Sequence, residues 1–217
     1  MINTQDQEEL FRLIADYLEK DVECLAIGGT AMMFHGYKTT TKDIDLVFKS
    51  EQDRGIFIKA LLQLGYTERS IRSVYDEKRA TDKNKPKMYS RGEERFDLFV
   101  MNVFGVDVPF ENIVQRHDFI GKKELIVLTL SKELLILLKS VTNREKDYED
   151  IETIVKIEKN IDWKLIVNEA LRNRQNKQWM LYDLEEKLQK LKKITFIKKE
   201  IFDAIYKSES DYEKKKM

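Results

Sequence analysis

At 217 residues the chain has material for one large domain or two small ones, with a real core in either case. Charged residues make up 36% of it, yet 39 Lys and Arg balance 39 Asp and Glu. That balance excludes a global basic field that would announce nucleic acid, so any such contact rests on a local patch. A single cysteine, Cys24, excludes an internal disulfide and any multi-cysteine metal centre. Residues 1–9 are polar and acidic, unlike a signal peptide. No apolar run approaches the length of a membrane span. The expectation is a cytoplasmic protein without membrane association.

In chain order, Leu10, Phe11, Ile14 and Leu18 fall at helical spacing and predict an opening helix over 6–20. Leu25-Ala26-Ile27 reads as a short buried strand, with Cys24 before it as a small buried residue. Gly28-Gly29 stops the strand, since paired glycines allow a sharp turn and a close approach to the main chain. Thr30 stands where an N-cap belongs, ahead of Ala31-Met32-Met33-Phe34 as a helix that ends at Gly36. A strand, a Gly-Gly turn and a helix N-terminus present backbone N–H groups to an anion. The connector 37–42 carries Lys38 and Lys42, which either reach phosphates or are solvated loop lysines.

The next strand has a pattern. Ile44, Leu46 and Phe48 alternate with Asp43, Asp45 and Val47, so the two carboxylates share a face. Their like charges call for a cation between them, and hard oxygen donors suit Mg2+ or Mn2+. A helix follows over 51–64, closed by Gly65, and then a strand over 67–74. Residues 76–87 form a charged, turn-rich insert with no apolar period. Its Lys78, Arg79, Lys83, Lys85 and Lys87 make either a basic flap over an acceptor such as RNA or a solvated hairpin loop. Residues 95–100 read as a strand with Asp97 among apolar neighbours. Beside the Asp43–Asp45 strand, Asp97 would complete a carboxylate triad suited to two-metal phosphoryl chemistry. His35 and His117 lack a second histidine or cysteine at ligand spacing and read as structural.

After the apolar strand 125–128 the pattern turns wholly helical. Leu134, Leu135, Leu137, Leu138 and Val141 make one apolar stripe, and Tyr148, Ile151, Ile154, Val155 and Ile157 a second. Asp162 caps a helix that begins at Trp163; two more are expected over 179–192 and 196–206, before a fraying tail over 208–217. The fold class expected is α+β, with a mixed-sheet domain over 1–128 and a helical bundle domain over 129–217. Between the first two stripes stand Lys139, Arg144, Lys146, Asp147 and Asp150. They are either ion pairs on a helix face or a cluster from which Lys139 reaches a triphosphate.

Gly28-Gly29-Thr30-Ala31 through His35-Gly36, then Thr41-Lys42-Asp43-Ile44-Asp45-Leu46 and a later Asp97, resembles the signature of the nucleotidyltransferase superfamily related to DNA polymerase beta. Leu134-Leu135, Lys139 and Arg144-Glu145-Lys146-Asp147-Tyr148-Glu149-Asp150-Ile151 narrow the likeness to prokaryotic proteins allied to the AbiEii toxins of type IV toxin–antitoxin systems. The resemblance covers residues 20–160. It implies metal-dependent transfer of a nucleoside monophosphate from a nucleoside triphosphate to a hydroxyl acceptor, with RNA or a tRNA 3′ end and a cognate antitoxin as partners. Asp43, Asp45 and Asp97 would be the metal ligands and, with Lys139, the catalytic set. Gly28, Gly29, Thr30, Lys139 and Asp147 would bind the nucleotide. The alternative is a catalytically silent nucleotide- or RNA-binding module that acts through a protein partner. A P-loop kinase is disfavoured, because Gly28-Gly29-Thr30 lacks the Gly-Lys-Ser/Thr ending.

Overall fold

The computed structural model describes residues 1–75, 77–111, 113–140, 144–173 and 180–216. Val141, Asn143 and the start of the helix expected at 179 lie outside them, as does the Lys78 side chain. The chain divides into two compact units, Met1–Ser131 and Lys132–Met217.

The first unit opens with β1 (Ile2–Asn3) and α1 (Thr4–Tyr17). Asn3 caps α1 reciprocally, its side chain accepting from the Asp6 N–H while the Asp6 carboxylate accepts from its own. Leu10, Phe11 and Ile14 are buried along one face of α1. There follow β2 (Val22–Ile27), α2 (Gly28–Phe34), β3 (Thr40–Thr41), β4 (Ile44–Phe48) and α3 (Glu51–Gln63). Next come β5 (Thr67–Arg69), a 3-10 turn (Ile71–Ser73), α4 (Glu77–Ala80), β6 (Lys87–Arg91) and β7 (Glu94–Val100). The short β8 (Asn102–Val103) and β9 (Val106–Asp107) precede the long hairpin of β10 (Ile113–Ile120) and β11 (Glu124–Leu130).

The main path of the sheet runs β10-β11-β2-β4-β7-β6-β5, with β8 and β9 appended at β7. The β11–β2 and β4–β7 pairs are parallel and the others antiparallel, which makes the sheet mixed. Phe57 of α3 packs against Phe48 and Phe96, with ring centroids 5.2 and 5.7 Å apart. Those two residues therefore mark the face of β4 and β7 that α3 covers. Alternation then sends Asp45, Arg95 and Asp97 to the opposite face.

The second unit consists, among the described residues, of α5 (Lys132–Ser140), α6 (Glu145–Ile157), α7 (Trp163–Asn173), α8 (Met180–Leu191) and α9 (Lys199–Lys216). Its core takes Leu134, Leu135 and Leu137 on α5 and Ile151 and Ile154 on α6 from the expected stripes, joined by Ile166 and Ala170 on α7, while Ile157 of the second stripe is exposed. No helix of the described residues is long and apolar enough to cross a membrane.

Three local expectations are corrected. The strand over 67–74 stops at Arg69, because Ser73 turns back onto the Ser70 carbonyl with both its N–H (3.1 Å) and its hydroxyl (2.7 Å). The insert is not a plain loop: it holds α4, and its end at Lys87 already belongs to β6. The tail after Ser208 stays helical to Lys216.

Candidate active site

The site grows from two adjacent parallel strands. The register pairs Asp45 on β4 with Asp97 on β7, and Asp43 lies one residue ahead of β4 on the same face as Asp45. Three of the residues singled out from sequence are thus brought to one end of one sheet face. Asp97 is fully buried, while Asp43 and Asp45 are half-buried.

The glycines work by what they leave out. Gly28 begins α2 at φ +59°, a conformation L side chains rarely adopt. A Cβ there would fall within 3.0 Å of the Asp45 carboxylate oxygen and 3.1 Å from its Cγ. The bare Cα of Gly28 is what lets Asp45 lie against the β2–α2 turn. Gly29 makes the same kind of room for Thr41. Thr30 is not the N-cap: α2 starts at Gly28, and its cap residue Ile27 makes no side-chain capping bond. The Thr30 hydroxyl is fully buried and ties α2 to β4 instead. It accepts from the Asp45 N–H at 3.0 Å and donates to the Asp43 carbonyl at 3.5 Å.

Two further residues complete the cluster. Arg95 stands two residues before Asp97 on the same face of β7. Its Nε donates to Asp97 Oδ1 at 3.0 Å, and its Nη2 donates to Asp43 Oδ2 and, at 3.4 Å, to Asp97 Oδ2. Tyr75, beyond the 3-10 turn, donates its hydroxyl to Asp97 Oδ2 at 2.6 Å. Burial pushes the Asp97 carboxyl above the usual carboxylate range, although Arg95 and Tyr75 both favour its charged form. Burial also raises the Tyr75 phenol, and the charges of Asp97 and Asp45 raise it further. Burial works against the Arg95 charge, but Asp97 and Asp43 prevail, so its guanidinium is held more firmly charged than usual.

The donor set suits a hard divalent cation, since Asp43, Asp45 and Asp97 offer carboxylate oxygens only. The arrangement is not that of a formed metal site. Among the described residues no group of three or more His, Cys, Asp and Glu side chains is placed to hold an ion. The reason is visible in the cluster: Asp43 and Asp97 both turn to Arg95, which supplies the positive charge.

Lys139 lies on α5 in the second unit. It is buried, and its Nζ meets Asp150 at 2.6 Å and Asp147 at 3.6 Å. Arg144 reaches Asp147 from the other side at 2.6 Å. Lys139, Asp147 and Asp150 thus come together as an ion-pair cluster of that unit. Of the insert's basic residues, Arg79 lies over the Phe104 ring at 5.9 Å, and Lys85 donates to the Ala80 carbonyl at 3.0 Å. Lys83, Lys85 and Lys87 are exposed. His35 meets the Leu130 carbonyl at 2.9 Å, and His117 stacks on Phe34 with ring centroids 4.0 Å apart.

Sequence reasoning passed over Arg95 and Tyr75. Arg95 carried a signal, because its spacing of two from Asp97 on a strand puts both on one face. Tyr75 carried none, since it lies in an aperiodic segment 22 residues from the carboxylate it touches.

The family described as "nucleotidyltransferase of unknown function (DUF6036)" matches residues 7–201. The chain belongs to this family. Among solved structures, the nucleotidyltransferase chain is similar to one titled "Crystal Structure of ANT(2")-Ia in complex with adenylyl-2"-tobramycin". The identity is 16% and the TM-score 0.47, over 78% of this chain and 97% of that one. No curated protein matches.

Proposed function

We propose that this chain transfers a nucleoside monophosphate from a nucleoside triphosphate to a hydroxyl acceptor, with Asp43, Asp45 and Asp97 holding the required Mg2+ or Mn2+. The observation that carries the proposal is the parallel register that sets Asp45 beside Asp97, with Asp43 just upstream and the Gly28 backbone against Asp45. Such a cation, when bound, neutralises the triphosphate and lowers the pKa of a coordinated hydroxyl. The backbone of Gly28, Gly29 and Thr30 is assigned to the β- and γ-phosphates. Thr30 holds the β4 backbone at Asp43 and Asp45 so that their carboxylates keep their places. Asp97 takes the proton of the acceptor hydroxyl; its burial raises its affinity for that proton, which suits a general base. Arg95 would release Asp43 and Asp97 for a bound cation. Lys139 with Asp147 is retained as a pair that contacts nucleotide, Lys139 giving positive charge as pyrophosphate departs.

In its finer form the proposal takes RNA, a tRNA 3′ end in particular, as the acceptor, and a toxin with a cognate antitoxin as the setting. Its support is the motif resemblance to the AbiEii-allied proteins and the exposed Lys83, Lys85 and Lys87 of the insert. A second reading, a silent nucleotide- or RNA-binding module, is favoured by one observation: a guanidinium already fills the place of the cation. The test is transfer of label from each α-labelled nucleoside triphosphate, with Mg2+ or Mn2+, to total tRNA or to no added acceptor, alongside Asp43→Ala. Label on RNA that disappears in the variant supports transfer. Nucleotide binding without label on any species moves the assignment to the silent module.

A further inference from the structure

The carboxylate proposed as general base already has a hydroxyl on it, and that hydroxyl belongs to the chain itself. Tyr75 follows an exposed turn: Arg72, Ser73 and Val74 all face solvent. Its own side chain is half-buried. Its ring meets Phe104 with centroids 5.3 Å apart, and Phe104 meets Phe99 of β7 at 5.4 Å. This stack aims the phenol at Asp97 Oδ2, 2.6 Å away. Asp45 stands beside Asp97 on the next strand. A buried carboxylate receiving a short hydrogen bond from a hydroxyl, among the groups assigned to nucleotide and metal, is the arrangement an acceptor adopts before transfer.

We propose that Tyr75 is itself an acceptor, so that the protein nucleotidylylates its own phenol when it is given a nucleoside triphosphate and no better hydroxyl. The proposal rests on the transferase reading above. In the step, the Tyr75 phenolic oxygen forms a bond to the α-phosphorus. The bond from that phosphorus to the oxygen bridging it to the β-phosphate breaks, and pyrophosphate leaves with the electron pair. The phenolic proton passes to Asp97 Oδ2. The product is a tyrosine phosphodiester, with no change of oxidation state and no further reactant. An external acceptor must displace Tyr75 from Asp97, so self-modification and transfer to another hydroxyl compete for one carboxylate.

The test uses the full chain with each nucleoside triphosphate and Mn2+ or Mg2+, read by intact-mass spectrometry and peptide fragmentation. Nucleotide binding is measured by calorimetry in parallel. The expected result is a gain of one nucleoside monophosphate per chain, mapped to Tyr75. It should be lost in Tyr75→Phe, which keeps the aromatic stack, and fall as tRNA is added. Label mapped to any other residue overturns the proposal without recourse to a variant. Label that persists in Tyr75→Phe overturns it as well. Transfer to tRNA by a wild-type protein that never labels itself overturns this inference and leaves the transferase reading standing. Nucleotide binding with neither kind of transfer overturns both.

Discussion

Gly28→Ala and Gly36→Ala form a matched pair that isolates what the Gly28 approach contributes. Both glycines sit at positive φ, +59° and +75°. An alanine in either place therefore pays the left-handed strain, roughly 1–2 kcal/mol. They differ in what the new methyl meets. At Gly36 it would meet nothing within 4 Å. At Gly28 it would fall within 3.0 Å of Asp45 Oδ2, so the carboxylate must retreat to reach ordinary contact at 3.4–4 Å. A retreat of about an ångström, in a group proposed to sit within bonding reach of a metal, is expected to cost roughly tenfold to a hundredfold in rate. Both variants should lose similar stability in urea unfolding, with Gly28→Ala slightly worse. Only Gly28→Ala should lose pyrophosphate release and weaken Mn2+ binding followed by electron paramagnetic resonance. Equal activity losses in the two variants, or a fully active Gly28→Ala, would refute the assignment of Asp45 to the reacting centre.

Other substitutions test the surrounding argument. Lys139→Ala leaves Asp150 and Asp147 buried without their shared ammonium and should cost about 3–5 kcal/mol in chemical unfolding. Most of that should return when Lys139→Met is combined with Asp150→Leu, because paired removal leaves no uncompensated charge; a Lys139→Ala variant as stable as wild type refutes this account of the cluster. Gly121→Ala drives a Cβ to 2.5 Å from the Asp16 nitrogen and 2.7 Å from the Ala15 carbonyl carbon. Backbone cannot retreat as a side-chain tip can, so thermal melting should show a loss of about 1–3 kcal/mol with transfer unaffected. Burial against Phe34 holds the His117 pKa below 6.5, with Glu8 opposing. Between that lowered value and 6.5 the unfolded chain binds more protons than the folded one, so stability rises with pH there and is lost as pH falls. His117→Gln should flatten that slope, and an imidazole titration midpoint above 6.5 by NMR would contradict it.

Much of this molecule was legible because it rests on period and punctuation. The alternation through Asp43, Asp45 and Val47 marked β4, and the apolar stripes from Leu134 onward marked the helical unit. Both patterns follow from burying one face of an element, and both survive in the structure. What was hidden depended on contacts between segments that carry no shared period. Thr30 has the chemistry of an N-cap, yet its hydroxyl bonds to β4, because Gly28 can open the helix at positive φ two residues earlier than an ordinary residue could. The serines of the 70–73 turn compete for backbone partners and cut a strand that its composition favours. The tail is helical through Lys216 as the continuation of α9, at whose start Lys199 and Asp203, one turn apart, meet at 3.0 Å.

The same distinction explains the site. Three carboxylates on adjacent strands can be inferred from residue type and spacing; of the groups that satisfy them, Arg95 shares a strand face with Asp97, but Tyr75 comes from a segment with no shared period. Asp43 and Asp97 need a positive partner, and the sequence pointed to a metal because hard oxygen donors in pairs suit one. The fold supplies Arg95 from the same strand as Asp97. A guanidinium in that place keeps the carboxylates together without a metal, which a bare triad of like charges would resist. On the proposed metal assignment, an ion that took both Asp43 and Asp97 would compete with Arg95 for them. Arg95→Gln should therefore raise Mn2+ affinity in the absence of nucleotide while lowering the melting temperature of the metal-free protein. A variant that lost stability without gaining affinity would show that Arg95 braces the strands and does not stand in for the ion.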